Sequence, residues 1–154
     1  MHPIDQRLSE LGITLPTPSS PVAAYVPCVS AAGLIHVSGQ LPFNAEGAMI
    51  KGRLGDDLSI EAGADAAKCC AIMILAQVKL HLHNNWSRLG RLVKLGGFVQ
   101  STADFFDHPK VINGASTFML SVLGDHGQHA RFALGVPSLP FGVAVEIDAV
   151  FSYA

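Results

Sequence analysis

The chain has 154 residues, of which 49% are hydrophobic and only 14% are charged. This length suits one domain, and the balance excludes a disordered chain, which needs few hydrophobic residues and many charges. Ten Lys and Arg against twelve Asp and Glu give a net charge of -2, so there is no basic excess to bind a phosphate backbone, and nucleic acid is not expected as a partner. Because a globular domain usually carries about 25% charged residues, the deficit predicts that other subunits cover part of the surface.

The sequence predicts a cytoplasmic protein without a membrane partner. Its first residues lack the basic and apolar regions of a signal peptide. The apolar stretch 71–82 is too short, and too often interrupted by polar residues, to span a bilayer. The three cysteines, Cys28, Cys69 and Cys70, lack the spacing of a metal site and are typical of small buried residues in a reducing compartment.

Residues 1–24 are predicted to form an N-terminal arm, and residues 25–154 a single domain. In the arm, Leu8 and Leu11 are spaced for one helical turn, and the prolines that follow impose an extended connection. The domain begins with the pattern of a three-stranded meander. The strands are predicted at 25–29, 34–38 and 48–51.

Two amphipathic helices follow, separated by one strand. The first begins near Ser59, a good N-cap, and its apolar residues recur every three or four positions. The second begins at 107–109, with proline where its missing N–H is not needed, and ends at Gly124. The remaining strand patterns lie at 92–100, 129–136 and 142–153. No repeat, linker or change in composition divides the chain, so we predict one α+β domain, with a mixed sheet of about six strands covered by two helices.

Two charged residues stand out on the apolar C-terminal strands. Arg131 shares a strand face with Ala133 and Gly135, whose small size leaves room for a ligand, and a guanidinium fork fits a carboxylate. The alternative is a surface charge, or an ion pair with Glu146 or Asp148. Glu146 lies within the most apolar strand. There its carboxylate is exposed on the outer face, or paired with another group, or desolvated so that its pKa is raised into a useful acid–base range.

The seven histidines do not predict a metal site. His81 and His83 are two residues apart, so a helix directs them differently, and His126 and His129 have no obvious third ligand. The chain also lacks the serine-hydrolase, phosphate-loop and zinc-protease motifs. The residues alone therefore give no reason to expect a metal.

Three parts of the chain together carry the motifs of one known family. They are Val37-Ser38-Gly39-Gln40-Leu41-Pro42, then Ala130-Arg131-Phe132-Ala133-Leu134 with Leu139-Pro140, and then Val145-Glu146-Ile147. This pattern resembles the Rid (reactive intermediate deaminase) family, also called YjgF-like or endoribonuclease L-PSP, over roughly residues 25–151. The resemblance implies a chorismate-mutase-like fold and a homotrimer with three sites in clefts between subunits.

The resemblance also implies an activity. Active members hydrolyse 2-imino acids such as 2-iminobutanoate and 2-iminopropanoate, or their enamines, to 2-keto acids and ammonia, without metal or cofactor. By analogy, Arg131 would hold the substrate carboxylate, and Glu146 would position or activate water. The other residues of the substrate site would be Tyr25, Ser38, Gly39 and Ala133.

Departures from the family pattern indicate a divergent subgroup. His129 replaces a small residue or proline, Ala133 a cysteine or threonine, and Pro137 a small or basic residue. The segment 113–131 is longer than usual, so Asn113 is a poor match for the family's pocket asparagine. One alternative is a non-catalytic trimeric module that binds small carboxylates or a protein. Another, which comes from the older family name alone, is a ribonuclease, and the acidic net charge argues against it.

Overall fold

The computed structural model of the protein describes residues 1–19 and 23–154. The strands are β1 (Cys28–Ala31), β2 (Leu34–Gln40), β3 (Leu89–Gln100), β4 (Ala130–Val136) and β5 (Val145–Tyr153). They form a single sheet in the order β1-β2-β5-β3-β4. The β3–β4 pair is parallel and the other pairs are antiparallel, so the sheet is mixed, as predicted.

The described residues contain three α-helices. They are α1 (Pro3–Glu10), α2 (Ile60–His81) and α3 (His108–Leu123). Ser59 caps α2 as predicted, because its side chain accepts a hydrogen bond from the N–H of Ala62 at 3.1 Å. Gly124, with a φ of 59°, ends α3. Helices α2 and α3 pack against each other and against the same face of the sheet, here called the helix face.

The sheet has five strands among the described residues, against the predicted number of about six. The segment 48–51 forms only two isolated bridges, Phe43 to Met49 and Lys51 to Val143. Its backbone is held by two segments that lie outside the strands of the sheet. The N–H of Ile50 donates to the Pro42 carbonyl at 3.0 Å, and the Ile50 carbonyl accepts from the N–H of Ala144 at 3.0 Å. These contacts form no ladder with a strand of the sheet.

Helix α1 anchors the N-terminal arm to the rest of the protein. Ile4 and Leu8, one turn apart, are buried in the hydrophobic core, whereas Leu11 is exposed. Lys79 Nζ of α2 donates to Asp5 Oδ1 at 2.9 Å. The division into 1–24 and 25–154 stays a prediction, and the part of the arm at 20–22 lies outside the described residues.

Strand β5 forms the centre of the sheet and has the predicted alternation. Its residues on the helix face are buried: Val145, Ile147, Ala149 and Phe151. Glu146 and Asp148 alternate with them on the opposite face, which no helix of the described chain covers and which is here called the open face. No helix in the described part of the chain is long and apolar enough to cross a membrane.

The three cysteines are free thiols. Cys28 and Cys70 are buried and Cys69 is partly buried. Burial raises the pKa of the Cys28 thiol to about 11, and burial also raises the pKa of Cys70. These thiols therefore stay protonated at neutral pH, in keeping with the predicted role of small packing residues.

Candidate functional site

Strand β2 contains a β-bulge at Ser38 and Gly39. Its register with β5 is regular through Val37 and resumes at Gln40 with one residue too many. A Cβ on Gly39 would overlap Oε2 of Glu146, so the absence of a side chain lets the carboxylate lie against the backbone of the bulge. The φ of Gly39 lies outside the left-handed region, and the close approach is therefore what requires glycine here.

Ser38 links this bulge to the segment that precedes β1. Its Oγ donates to the carbonyl of Val26 at 2.9 Å, and its N–H donates to the carbonyl of Pro27 at 2.8 Å. Tyr25, the neighbour of Val26, has 57% of its surface exposed. The structure therefore brings Ser38, Gly39 and Glu146 together, and it leaves Tyr25 exposed at the edge of the group.

Glu146 is half-buried on the open face. Its partner across the sheet is Phe98 of β3, which packs edge-to-face on Phe132 of β4 with ring centroids 5.2 Å apart. Burial and the nearby carboxylate of Asp148 raise the pKa of Glu146. This carboxylate is therefore a better proton acceptor than an exposed glutamate.

Arg131 lies on β4, an edge strand, with its side chain on the helix face. Its Nη1 donates to Oγ of Ser116 at 3.1 Å and its Nη2 to the carbonyl of Pro109 at 3.3 Å, and both acceptors belong to α3. None of the salt bridges between described residues involves Arg131. The alternative of an ion pair with Glu146 or Asp148 is therefore wrong.

Arg131 and Glu146 lie apart within the chain. Strand β3 runs between them, and it pairs Leu95 with Arg131 and Phe98 with Glu146. Three residues along β3 and two strand spacings across the sheet put their Cα atoms about 14 Å apart. Their side chains also point to opposite faces, so a small molecule cannot touch both within a single chain.

Ala133 and Gly135 continue the helix face of β4 beyond Arg131. Ala133 packs against the core, and Gly135 borders a cavity of about 260 Å³. Within this cavity, Oγ of Ser101 lies 3.2 Å from Nε2 of His108. A side chain on Gly135 would overlap that imidazole nitrogen, so the space beside Gly135 is taken up by His108, and neither Arg131 nor Ala133 lines this cavity. Room for a ligand beside Arg131 stays a prediction.

Several polar residues along this edge of the sheet were not singled out from the sequence. Ser101 follows β3, whereas His108 and Ser116 belong to α3, and only the parallel pairing of β3 with β4 brings them to one edge of the sheet. Asn113 instead lies in an exposed groove between α2 and α3. Within 1–19 and 23–154, no three His, Cys, Asp or Glu residues are grouped to hold a metal.

Comparisons with known proteins agree on one family. Residues 5–151 match the family described as "YjgF/chorismate mutase-like, putative endoribonuclease". Protein TCP17 of Trypanosoma cruzi is 44% identical over 145 residues, which are 94% of this chain and 90% of that protein. The crystal structure of Atu1372 from Agrobacterium tumefaciens, a protein described as of unknown function, is 45% identical, with a TM-score of 0.90 over 98% of this chain and 94% of that one. The crystal structure of a Shewanella oneidensis protein described as "a putative endoribonuclease" is 25% identical. Its TM-score is 0.91, over 97% of this chain and 98% of that one.

Proposed function

The chain belongs to the YjgF/chorismate-mutase-like family, and on that premise we propose that it hydrolyses reactive 2-imino acids and their enamines to 2-keto acids and ammonia. The observation that carries the proposal is a pair of groups. One is a guanidinium on an edge strand that forms no salt bridge with the described residues. The other is a half-buried carboxylate, set against a glycine, whose pKa is raised.

Arg131 would bind the substrate carboxylate. A guanidinium has five N–H donors, and Arg131 directs two of them to Ser116 and Pro109. The remaining donors are enough for two parallel hydrogen bonds to a carboxylate. The anionic end of the substrate would thereby be fixed, which leaves the imine carbon in a defined position for attack.

Glu146 would activate water. As the water oxygen bonds to the imine carbon, the carboxylate takes a proton from the water, and the imine nitrogen gains this proton from Glu146 or one from solvent. In the carbinolamine that results, the hydroxyl then loses its proton and the amine gains one by the same route. The C–N bond breaks as the carbonyl forms, so that ammonia and a 2-keto acid leave. The imine carbon is electrophilic already, particularly when the nitrogen is protonated, so one guanidinium and one carboxylate suffice for this hydrolysis.

The separation of Arg131 and Glu146 supports a site shared between copies of the chain. In a homotrimer, Arg131 of one protomer would face Glu146 of its neighbour across a cleft. The open face fits such an assembly, because its residues Val29 and Leu134 are each 51% exposed in a single copy and the chain carries few charges. Burying this face between copies would also explain the charge deficit.

The test generates 2-iminobutanoate in the assay with an amino-acid oxidase or a dehydratase and follows the release of 2-ketobutanoate. We expect a rate above the uncatalysed one that falls at least 100-fold in Arg131→Ala and in Glu146→Gln. The matched controls are Arg7→Ala, at an exposed position of α1, and Glu46→Gln, in an exposed loop, which should keep the wild-type rate. A wild-type rate equal to the uncatalysed one would refute the proposal.

The same protein preparations distinguish two other functions from the proposed one. Ala133 has no hydroxyl or thiol to offer a substrate, which favours a carboxylate-binding module. Calorimetry that shows binding of 2-ketobutanoate without imine turnover would establish that function. The family description favours an endoribonuclease. RNA cleavage that persists unchanged in the Arg131→Ala, Glu146→Gln double variant would indicate a contaminating nuclease instead.

A further inference from the structure

A chain of hydrogen bonds runs from the turn before β4 to the guanidinium of Arg131. Nδ1 of His129 lies 2.6 Å from the carbonyl oxygen of Gly127. On the other side of the ring, Nε2 lies 2.9 Å from Oγ of Ser116. That hydroxyl oxygen in turn accepts from Nη1 of Arg131 at 3.1 Å.

The chemistry of the two ends fixes the direction of every hydrogen bond in this chain. A carbonyl oxygen only accepts, so Nδ1 of His129 must carry a proton, and a guanidinium only donates. In neutral His129, Nε2 is therefore the acceptor, and the hydroxyl of Ser116 donates to it. The Ser116 oxygen is then left to accept from Arg131, and no donor faces another donor.

The groups joined by these hydrogen bonds are held by rigid structure at both ends, at Gly127 and at Arg131. Gly127 is buried, and a side chain there would come within 2.6 Å of the Met119 carbonyl, so this turn lies directly on the backbone of α3. Ser116 belongs to α3 itself. The second bond of the guanidinium, to the carbonyl of Pro109, also ends on α3. The orientation of Arg131 is thus set by one helix and by the turn that packs on it.

We propose that Ser116 and His129 are positioning residues, which hold the guanidinium of Arg131 in the orientation that binds a carboxylate. This inference rests on the proposed function, because it assumes that Arg131 receives the substrate carboxylate. It gives His129, a departure from the family pattern, a role in the site. Without these hydrogen bonds, Arg131 would have to be ordered by the ligand itself, and binding would weaken.

The first measurement is the tautomer of His129, and it needs no substrate. ¹⁵N NMR of the whole protein, recorded at about pH 8, distinguishes a proton on Nδ1 from one on Nε2. We expect the Nδ1–H form in the wild type and a change of the His129 ring signals in Ser116→Ala. A proton on Nε2 in the wild type would overturn the inference whatever the enzyme's activity.

The second measurement is the affinity for 2-ketobutanoate, by calorimetry. Because a fixed arginine loses less rotamer entropy on binding, Ser116→Ala and His129→Ala should each bind about 5- to 30-fold more weakly. His129→Gln should bind within about threefold of the wild type, since its amide oxygen can accept from Ser116. The matched controls are Ser121→Ala, whose hydroxyl bonds its own helix at the Phe118 carbonyl, and His126→Ala, on an exposed turn. Neither control should change the affinity.

The kinetic constants separate positioning from catalysis. Since Ser116 and His129 act on ground-state binding, their alanine variants should raise KM with kcat nearly unchanged, and thermal unfolding should show that they fold. If they bind like the wild type while Arg131→Ala does not, the positioning role is overturned and the proposed site stands. If Arg131→Ala binds as tightly as the wild type, the proposed function fails, and the inference about carboxylate binding fails with it.

Discussion

Replacing Gly39 with alanine tests the contact between the bulge of β2 and Glu146. The added Cβ would overlap Oε2 and would lie 3.0 Å from Cδ and 3.2 Å from Cγ of Glu146. These atoms are the end of a flexible side chain, and the φ of Gly39 suits alanine. The backbone can therefore stay in place, and the carboxylate is what must move.

The expected effect on stability is small and the effect on rate is large. An off-rotamer glutamate costs about 0.5–1.5 kcal/mol, which lowers Tm by about 1–6 °C for a chain of this size. A displacement of a catalytic group by about 1 Å can lower a rate by about 100-fold. We therefore expect Gly39→Ala to fold and to lose about 100-fold in kcat, with KM nearly unchanged because Arg131 is untouched.

The assay is the release of 2-ketobutanoate from 2-iminobutanoate, run beside thermal unfolding. Gly114→Ala is the contrasting variant, because its Cβ would overlap the backbone carbonyl of Ala64 on α2, which cannot rotate away. It should lose about 1–3 kcal/mol of stability through separation of the two helices. A folded Gly39→Ala variant with the wild-type kcat would refute the placement of Glu146 as the base.

Four further predictions concern ionisation and packing. Burial and the nearby Asp148 raise the pKa of Glu146, so kcat/KM should rise with pH with a midpoint above the usual range of an exposed glutamate. Asp148→Asn should move that midpoint down, and an unchanged midpoint would contradict this cause. The folded state holds the Glu146 proton more tightly than the unfolded state does. In urea unfolding, the wild type should therefore lose stability relative to Glu146→Gln as pH rises from about 4 through the raised pKa. A gain in relative stability over this pH range would contradict the prediction. Cys28 and Cys70 should resist a disulfide reagent at about pH 8 until denaturant is added, and reaction at the rate of an exposed thiol would refute their burial. Phe151→Ala, which empties a fully buried position, should lower the free energy of unfolding by about 3–5 kcal/mol in the same urea experiment, and a change below about 1 kcal/mol would contradict its place in the core.

The sequence predicted those elements whose periodicity reports burial. Strand β5 alternates strictly because one of its faces lies under the helices, and α2 and α3 carry clear caps. The segment 48–51 has the composition of a strand, but composition does not say whether a partner strand is available. Isolated bridges to Phe43 and Val143 use its backbone groups instead.

The candidate site was predictable residue by residue but not in its geometry. Glycines and a lone arginine on small-residue strands stand out in a chain with few charges. Which of them meet depends on register, and the parallel pairing of β3 with β4 puts Arg131 beside α3 rather than beside Glu146. Ser116 and His129 are 13 residues apart, and no local pattern indicates that their side chains touch.

The bulge in β2 also sets the length that this part of the chain must keep. Val37 pairs with Ala149 and Gln40 with Ile147, so removing one residue at 38 or 39 would keep these pairings and turn the bulge into a regular ladder. Loops elsewhere tolerate insertions and deletions well, but a deletion here would spare the core and remove the bulge that sets Gly39 against Glu146. Related chains should therefore vary in length at their loops and not between Val37 and Gln40.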